Sequence, residues 1–485
     1  MKEYFTATLA VAIGCCGYAQ RANNILVVVA DDLGCEVLSL YDTPTTERAN
    51  TPNLDKLAAR GVTFDNVWGA PLSAPVRAAM LTGRHGHHTG IVALDITLPK
   101  SEVTLFEALP EEYTNAVIGK WHLSDYENFA PDYGIDHFAG IATEGGVRNY
   151  SQWRFTENGV SIFTTEYATT KITDSAKKWI EAQKSPWLCW VAYNAPHIPM
   201  HLPPSHMHTH KELTGTPEDM ESNRLAYYLA MVESFDYDLG RLLESVDDST
   251  TIIFIGDNGT EKRSLQAPYS PRHGKGSLYD SGVAIPMIVC GAGVPKGGER
   301  SSALVSAVDI FPTVMEFAGK EMPKYQDAYS FASVVTGGET LRKFNYSEIL
   351  NPRMGYMNAI SDGVYKLITT KSGTEEFYNT DDDVLEQSNL IGKSLSEEQE
   401  AALTKLRAEL TAMKIPLDSI PESNPNAKGD PSKRYGNGNG NRGGGGGYGG
   451  NRNGGSYNSY NSSNSYNNNS YNGTRSGGNS GNRSR

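Results

Sequence analysis

The sequence predicts an α/β fold in which helices cover both faces of a sheet. Apolar runs of strand length alternate along the chain with amphipathic helical patterns. The runs are almost continuously apolar, which is typical of strands that are buried on both faces. The chain has 485 residues, of which 39% are hydrophobic and 20% are charged. This composition is typical of a globular protein that is long enough for more than one domain.

Five apolar runs are the predicted strands. In chain order they are NILVVVA (24–30), NAVIG (115–119), WLCWVAY (187–193), TIIFIG (251–256) and AIPMIVC (284–290). Helices are predicted from amphipathic periodicity around residues 52–60, 171–183 and 224–246. The alternation of the two patterns predicts a layered sandwich of helices and sheet.

The apolar runs thin out towards residue 340, where Gly337 and Gly338 break the pattern. Glycine pairs favour loops over regular elements. We therefore predict a large α/β/α domain over residues 22–340 and a smaller C-terminal α+β subdomain over residues 341–425.

The first 19 residues are interpreted as a secretory signal peptide. Lys2 precedes a short apolar stretch, and small residues flank Tyr18. The stretch is too short to span a bilayer, so no transmembrane segment is predicted. Cys15 leaves lipoprotein anchoring open as an alternative, and in either case the sequence predicts an exported protein, periplasmic or at the cell surface.

The cysteines give no disulfide framework. Cys15 and Cys16 lie in the signal segment, which leaves Cys35, Cys189 and Cys290 in the body of the protein. Two of these three lie inside apolar runs, so we predict buried thiols.

Residues 431–485 form a tail of Gly, Asn, Ser and Tyr that has no aliphatic side chain to bury. Such a segment cannot offset the entropic cost of ordering its backbone, so we predict that it is disordered. The tail carries seven Lys or Arg residues and no acid, whereas the whole chain has a net charge of −13. Arginine, glycine and tyrosine together would favour RNA binding in a nuclear protein. Behind an export signal, we predict a tether or a contact with acidic glycans and no nucleic-acid partner.

Polar side chains follow four of the predicted strands. Asp31 and Asp32 follow the first, Lys120 and His122 the second, Asn194 and His197 the third, and Asp257 and Asn258 the fourth. In open α/β sheets, ligands bind beyond the carboxyl ends of the strands, so these polar side chains are predicted to lie around one crevice. Taken singly, each is also explained by an ordinary polar loop or turn.

Three of these carboxylates and one carboxamide suggest a metal site. Asp31, Asp32, Asp257 and Asn258 offer hard oxygen ligands that suit Ca²⁺ or Mg²⁺. Neither a thiolate nor a histidine pair accompanies them to favour zinc.

The stretch PLSAPVRAAMLTG (71–83) predicts a loop that leads into a helix. Ser73 stands at a cap position, Pro75 fits the first turn, and the following residues favour a helix. Only Arg77, a cation one turn beyond the serine, is unexplained by helix formation.

PLSAPVRAAMLTGRHG resembles the signature of the type I sulfatases: Cys or Ser, any residue, Pro, any residue, Arg, and later Thr-Gly. Further segments with counterparts in that family follow the same order: VVVADDLG, TPNLDKLAARGVTF, GKWHLS, AYNAPHIP, FIGDNG and HGKGSLYDSG, then YKLIT and EFYNTDDDVLEQSNL near the C terminus. An ordered set over residues 22–420 is far more specific than one motif. The resemblance implies an alkaline-phosphatase-like α/β/α sandwich with a smaller C-terminal α+β subdomain, and sulfate monoester hydrolysis.

The resemblance also implies roles for individual residues. Ser73 would be oxidised to formylglycine by a radical-type sulfatase-maturating enzyme, and one hydroxyl of the hydrated aldehyde attacks sulfur while the other releases sulfate. One divalent cation, Ca²⁺ or alternatively Mg²⁺, would be bound by Asp31, Asp32, Ser73, Asp257 and Asn258. Arg77 would hold the formylglycine hydroxyls, and Lys120 and Lys275 would bind sulfate oxygens. His122 would take a proton as sulfate is released, and His197 would act near the leaving oxygen.

Two positions depart from the family pattern. Cys35 stands where an aromatic residue is common, and Asp280-Ser281 replace a usual Glu-Gly. Neither change removes a charged catalytic group.

Two other functions are open on the sequence alone. One is a phosphatase or phosphodiesterase of the same superfamily that uses unmodified Ser73, although that type usually has an Asp-His pair where this chain has Asp257-Asn258. The other is a noncatalytic glycan-binding homologue. The expected substrate is a sulfated carbohydrate, with residues 197–210 and 148–155 as candidates for the pocket rim; Arg148, Arg154 and His201 are either sugar contacts or ordinary surface residues.

Overall fold

The protein is built around a ten-stranded mixed sheet. A computed structural model describes residues 23–420, except residues 95, 185, 296, 321–326 and 419. The predicted signal peptide (1–19) with Cys15 and Cys16, and the predicted disordered tail (431–485), lie outside the described residues.

Fourteen strands and eleven α-helices occur in the described residues. The strands are β1 (Asn24–Ala30), β2 (Gly61–Trp68), β3 (Thr114–Lys120), β4 (His137–Ile141), β5 (Trp153–Glu157), β6 (Val160–Thr164), β7 (Trp187–Ala192), β8 (Thr250–Gly256), β9 (Met287–Gly291), β10 (Glu299–Ser306), β11 (Asn345–Asn351), β12 (Gly355–Ser361), β13 (Tyr365–Thr370) and β14 (Glu375–Asn379). The helices are α1 (Pro52–Ala59), α2 (Ser73–Thr82), α3 (Gly86–Thr89), α4 (Leu105–Ala108), α5 (Ala168–Glu181), α6 (Pro217–Ser222), α7 (Arg224–Leu243), α8 (Asp280–Val283), α9 (Ile310–Phe317), α10 (Ala332–Val335) and α11 (Glu397–Ala412).

The large sheet has the order β10-β2-β9-β8-β1-β7-β3-β4-β5-β6. Its central strands β8, β1, β7, β3 and β4 run parallel, with Val27 of β1 paired to Trp190 on one side and Ile253 on the other. Strand β9 runs antiparallel to β8 and β2. The parallel arrangement brings the carboxyl ends of β1, β3, β7 and β8 to one edge of the sheet.

Helices cover both faces of this sheet, because the central strands present apolar side chains on both sides. Ile25, Val27 and Val29 of β1 pack into one core that contains residues of α2 and α9. The alternate residues of β1 pack into a second core with residues of α1, α5 and α7. The predicted α/β/α sandwich is confirmed.

A second, four-stranded antiparallel sheet has the order β11-β12-β13-β14. Helix α11 packs on it through Leu403 and Leu406, which share a core with Leu367 of β13. The predicted C-terminal α+β subdomain is therefore present, and its sheet begins at Asn345. The boundary near residue 340 stays a prediction.

The described cysteines are free thiols, as predicted. Cys189 and Cys290 are buried, and Cys35 is partly buried. Burial raises the pKa of the Cys35 thiol well above its ordinary value, and nearby Glu36 adds to the effect. Among the helices of the described residues, none has both the length and the apolar content needed to cross a bilayer.

Candidate active site

The predicted site residues gather at the carboxyl edge of the large sheet. Side chains from the ends of β1, β3, β7 and β8, the start of α2 and the loop before α8 contribute to a single network of contacts. Hydrogen bonds and ion pairs connect nine of the predicted site residues: Asp31, Asp32, Ser73, Arg77, Lys120, His197, Asp257, Asn258 and Lys275. His122 lies next to this network and is not bonded to it.

Ser73 is buried at the first turn of α2 and is 1% exposed. Its Oγ lies 3.0 Å from Asp31 Oδ1 and 3.1 Å from Asn258 Oδ1. Asn258 is oriented by its Nδ2, which donates to Asp32 Oδ1 over 2.7 Å and to the Gly259 carbonyl over 3.0 Å. The serine hydroxyl has one hydrogen, so it cannot donate to both acceptors at once.

Asp32 adds a second feature that a cation would satisfy. Its Oδ1 accepts hydrogen bonds from Asn258 Nδ2 and Lys275 Nζ, but its Oδ2 is buried and has no hydrogen-bond partner among the described residues. The residue has φ of 66°, in the left-handed region that few non-glycine residues occupy and that clusters at functional sites. Oxygen atoms of Asp31, Asp32, Asp257 and Asn258 thus form a donor set that fits a hard divalent cation.

Three buried or partly buried cations balance the three carboxylates. Lys120 Nζ donates to Asp31 Oδ2 over 2.6 Å. Arg77 donates to Asp257 Oδ2 over 3.0 Å and to the Lys120 carbonyl over 3.2 Å. Lys275 pairs with Asp32. The formal charges of these six residues cancel, so an added divalent cation gives the site the net positive charge that an anionic ester needs.

The pKa values reflect this balance. Burial raises the pKa of Asp31, but the positive charges of Lys120, His197 and Arg77 together outweigh this effect and hold the pKa at about 2. Burial also raises the pKa of Asp257, and the negative charge of Asp31 adds to this effect. Burial lowers the pKa of Lys275, but Asp32 and Asp31 reverse that shift and raise it. Ionised carboxylates at the centre of the site are the form that binds metal.

The two histidines differ in their surroundings. His197 places its Nδ1 2.6 Å from the Ile198 carbonyl, so Nδ1 carries the proton and Nε2 faces Asp32 Oδ2 at 3.9 Å. His122 has φ of 65°, and its Nδ1 is buried without a partner in the described part of the chain. Burial lowers the pKa of His122 well below its ordinary value, and the cations Lys120 and Arg77 lower it further. Burial also lowers the pKa of His197.

A glycine pair that the sequence reasoning missed passes against both histidines. A Cβ atom added at Gly145 would lie 2.7 Å from His122 Nε2. One added at Gly146 would lie 2.9 Å from Asn194 Oδ1 and 3.2 Å from His197 Nδ1. Only residues without a Cβ allow this close approach, so the pair fixes how near the backbone comes to the two rings.

Supporting hydrogen bonds behind the site were also missed. The Tyr150 hydroxyl lies 2.9 Å from the Asn194 carbonyl and 2.7 Å from the His197 carbonyl, which positions the loop after β7. The Tyr228 hydroxyl donates to the Asp32 carbonyl over 2.6 Å. These partners are separated by 44 to 196 residues in sequence, so these hydrogen bonds cannot be predicted from a local sequence motif.

The candidate rim residues have different environments. Arg148 is exposed and pairs with Glu144 at 3.7 Å, and Arg154 pairs with Glu127. His201 instead packs on Tyr150, with ring centroids 3.9 Å apart, and its Nε2 lies 2.8 Å from the Tyr167 hydroxyl. Burial lowers the pKa of His201 to about 4, so this residue supports the fold and does not offer a charge to a ligand at neutral pH.

Two protein families match the chain. The family described as Sulfatase matches residues 23–320, and the family described as N-sulphoglucosamine sulphohydrolase, C-terminal, matches residues 272–415. The first match contains all of the predicted site residues.

The chain is similar to named sulfatases. It is 28% identical to arylsulfatase G of Mus musculus over 62% of this chain and 66% of the relative, which is just under two thirds of that relative's length. It is 30% identical to arylsulfatase A of Bos taurus over 80% of this chain and 82% of the relative. It is 25% identical to the ulvan-active sulfatase of Formosa agariphila over 80% of this chain and 81% of the relative. The crystal structure of Ps i-CgsB resembles the fold with a TM-score of 0.71 and 25% identity, over 83% of this chain and 95% of that one.

Proposed function

We propose that this chain, which belongs to the sulfatase family, is an enzyme that hydrolyses sulfate monoesters of carbohydrates. The observation that carries the proposal is the position of Ser73 Oγ between two acceptor oxygens, inside a cluster of three carboxylates and three cations. The arrangement places an oxygen nucleophile beside cationic hydrogen-bond donors, which is what transfer of an anionic group requires.

The metal and the modified serine each supply one part of the chemistry. When bound, a divalent cation, Ca²⁺ or Mg²⁺, lowers the pKa of the attacking hydroxyl and neutralises a sulfate oxygen. Asp31, Asp32, Asp257 and Asn258 would hold that cation, together with an oxygen of modified Ser73. Formylglycine made from Ser73 would take up water to carry two hydroxyls on one carbon. One hydroxyl would attack sulfur and displace the alcohol, and the other would lose its proton as the C–O bond to sulfate breaks and the aldehyde re-forms.

The cationic side chains bind the sulfate group. Lys120 and Lys275 each have an ammonium group at the carboxylate cluster, and they donate hydrogen bonds to sulfate oxygens as negative charge builds up. Arg77 is held by Asp257 and by the Lys120 carbonyl, and its Nε has no hydrogen-bond partner among the described residues. The guanidinium therefore keeps a donor for the modified side chain.

The two histidines carry the proton transfers. His197 has Nδ1 engaged by the Ile198 carbonyl, so Nε2 is the atom that gives a proton to the leaving alcohol oxygen. A bound sulfate ester adds negative charge beside the ring, which favours its protonated form. His122 is neutral because burial lowers its pKa, so it accepts the proton that the second hydroxyl loses.

The proposed substrate class is sulfated carbohydrate. The support comes from the names of relatives such as the ulvan-active sulfatase of Formosa agariphila. Arg148 lies on the segment that follows Gly145 and Gly146 and is 88% exposed. Its ion pair with Glu144, at 3.7 Å, is solvent-exposed and can be exchanged for an acidic sugar beside the cleaved ester.

Parallel assays with a sulfate and a phosphate ester of one phenol, together with mass spectrometry of the Ser73 peptide, test the proposal. We expect a peptide lighter by two hydrogens and a clear preference for the sulfate ester. Full activity with unmodified serine, or a preference for the phosphate ester, would favour the hypothesis of a phosphatase. Metal binding without either activity would favour the hypothesis of a noncatalytic glycan-binding protein. A panel of sulfated saccharides scored by released sulfate then defines the sugar.

Maturation and export are part of the same proposal. A radical-type maturating enzyme acts on the SAPVR segment, and the exported chain loses residues 1–19. Coexpression with such an enzyme should produce the lighter Ser73 peptide, and expression without it should not. Cell fractionation should place the processed chain in the periplasm or at the surface, and recovery of full-length protein in the cytoplasm would contradict export.

A further inference from the structure

A second cluster of metal-ligating side chains lies at the far end of α2 from Ser73. His87 and His88 belong to α3, and Asp327 lies between α9 and α10. One potential ligand atom of each residue lies within 4.8 Å of the others. Helix α2 has ten residues and therefore spans roughly 15 Å, so the cluster is separate from the Ser73 site.

His87 has the arrangement of a histidine prepared to bind metal. Its Nδ1 lies 3.1 Å from each carboxylate oxygen of Glu348, and its side chain is 1% exposed. Glu348 is fixed in turn by the hydroxyls of Tyr346 and Tyr356 and by the His87 backbone N–H. A carboxylate only accepts hydrogen bonds, so Nδ1 carries the ring proton and Nε2 is left as the donor atom for a metal.

The Nε2 atom of His87 is buried and has no hydrogen-bond partner in the described part of the chain. An unpartnered buried polar atom is destabilising. A bound cation would supply the missing partner. The ring is therefore both oriented for a ligand and unsatisfied without one.

His88 and Asp327 complete the donor set. His88 Nδ1 lies 2.6 Å from Asp327 Oδ2, and that carboxylate also accepts the His85 backbone N–H over 2.9 Å. The Asp327 side chain is 6% exposed, whereas that of His88 is 20% exposed. A cavity of about 440 Å³ is lined by all three donors, which leaves room for water as a further ligand.

We propose that His87, His88 and Asp327 bind one Zn²⁺ ion, with Glu348 as the positioning residue behind His87. Two imidazoles and one carboxylate suit zinc, whereas the oxygen donors around Ser73 suit Ca²⁺ or Mg²⁺. The ion would connect the helix that follows the Ser73 helix to the segment that precedes the second sheet.

Zinc titration by calorimetry tests this proposal in protein kept in saturating Ca²⁺, so that the Ser73 site is occupied. We expect one Zn²⁺ per chain and a higher melting temperature. His88→Ala and Asp327→Asn should each weaken binding by at least about 100-fold. The exposed His206 provides the matched control, and His206→Ala should bind Zn²⁺ like the wild type.

Replacing Zn²⁺ by Co²⁺ gives a readout of the ligands themselves. Cobalt bound by two imidazoles and a carboxylate at low coordination number should give visible absorption that is lost in His88→Ala. The proposal is wrong if Ca²⁺-loaded protein takes up no stoichiometric Zn²⁺, or if His88→Ala binds Zn²⁺ and raises the melting temperature as the wild type does.

Discussion

Replacing Ser73 by alanine should abolish turnover while leaving the fold and the other four metal ligands intact. The substitution removes only the Oγ atom that lies 3.0 Å from Asp31 Oδ1 and 3.1 Å from Asn258 Oδ1. Because one hydroxyl hydrogen serves both acceptors, a single hydrogen bond is lost. The expected cost is about 1 kcal/mol of unfolding free energy, or a fall in melting temperature of roughly 2 °C.

The effect on catalysis should be far larger. Without an oxygen at residue 73 there is no nucleophile, so the rate of sulfate ester hydrolysis should fall by at least about 10⁴-fold. The oxygens of Asp31, Asp32, Asp257 and Asn258 remain, so the variant should still bind Ca²⁺ by calorimetry.

Ser234 provides the matched control. It is fully buried, and its Oγ also has two oxygen neighbours, the Met231 carbonyl at 2.9 Å and the Tyr167 hydroxyl at 3.1 Å. Ser234→Ala should lose similar stability and keep its activity. If Ser73→Ala retained more than about a hundredth of the wild-type rate, Ser73 would not be the nucleophile and the mechanism would fail.

Three further predictions test other parts of the site. Gly146→Ala places a Cβ 2.9 Å from Asn194 Oδ1 and 3.2 Å from His197 Nδ1, so kcat should fall by about 10–100-fold with little change in melting temperature; unchanged kcat would show that the ring position is not critical. The pKa of Asp31 is lowered to about 2 from 3.8 in the folded protein, so the ionised carboxylate contributes stability above the unfolded pKa that is lost as pH falls through the folded pKa. In metal-free protein, the stability advantage of the wild type over Lys120→Met should therefore shrink by about 2 kcal/mol between pH 4 and pH 2. Urea unfolding that shows a constant difference between the two proteins would contradict this. A chelator should abolish activity, and added Ca²⁺ or Mg²⁺ should restore it, whereas full activity after complete chelation would exclude the metal.

The buried strands could be predicted because their apolar runs are continuous. NILVVVA coincides with β1, since every side chain from Ile25 to Ala30 is buried. Strand β6 was missed because it is the edge strand of the sheet and its apolar residues Val160, Ile162 and Phe163 are exposed. Its sequence therefore lacks the continuous apolar run of a strand that is buried on both faces. Strand β9 begins at Met287, three residues later than the predicted run, because Ala284 only forms an isolated bridge to Trp68.

The charged groups of the site were predictable because they directly follow strands whose carboxyl ends meet. Groups that act through distant contacts were not. Lys366 is an example: it is fully buried on β13, lies 4.7 Å from the centre of the Trp68 ring, and pairs with Asp280 and Glu386. No pattern around YKLIT indicates that a lysine would be buried there.

Asp280, which stands where the family pattern usually has Glu, is an ion-pair partner of Lys366. Asp280 begins α8, five residues after Lys275, and its Oδ1 accepts a hydrogen bond from Lys366 Nζ over 2.8 Å. Glu386 accepts the Asp280 backbone N–H over 2.6 Å. Burying Lys366 without these carboxylates would leave an uncompensated charge, which is strongly destabilising. The second sheet therefore fixes the end of the loop that carries Lys275, and the C-terminal subdomain takes part in placing the ammonium group that we propose binds sulfate.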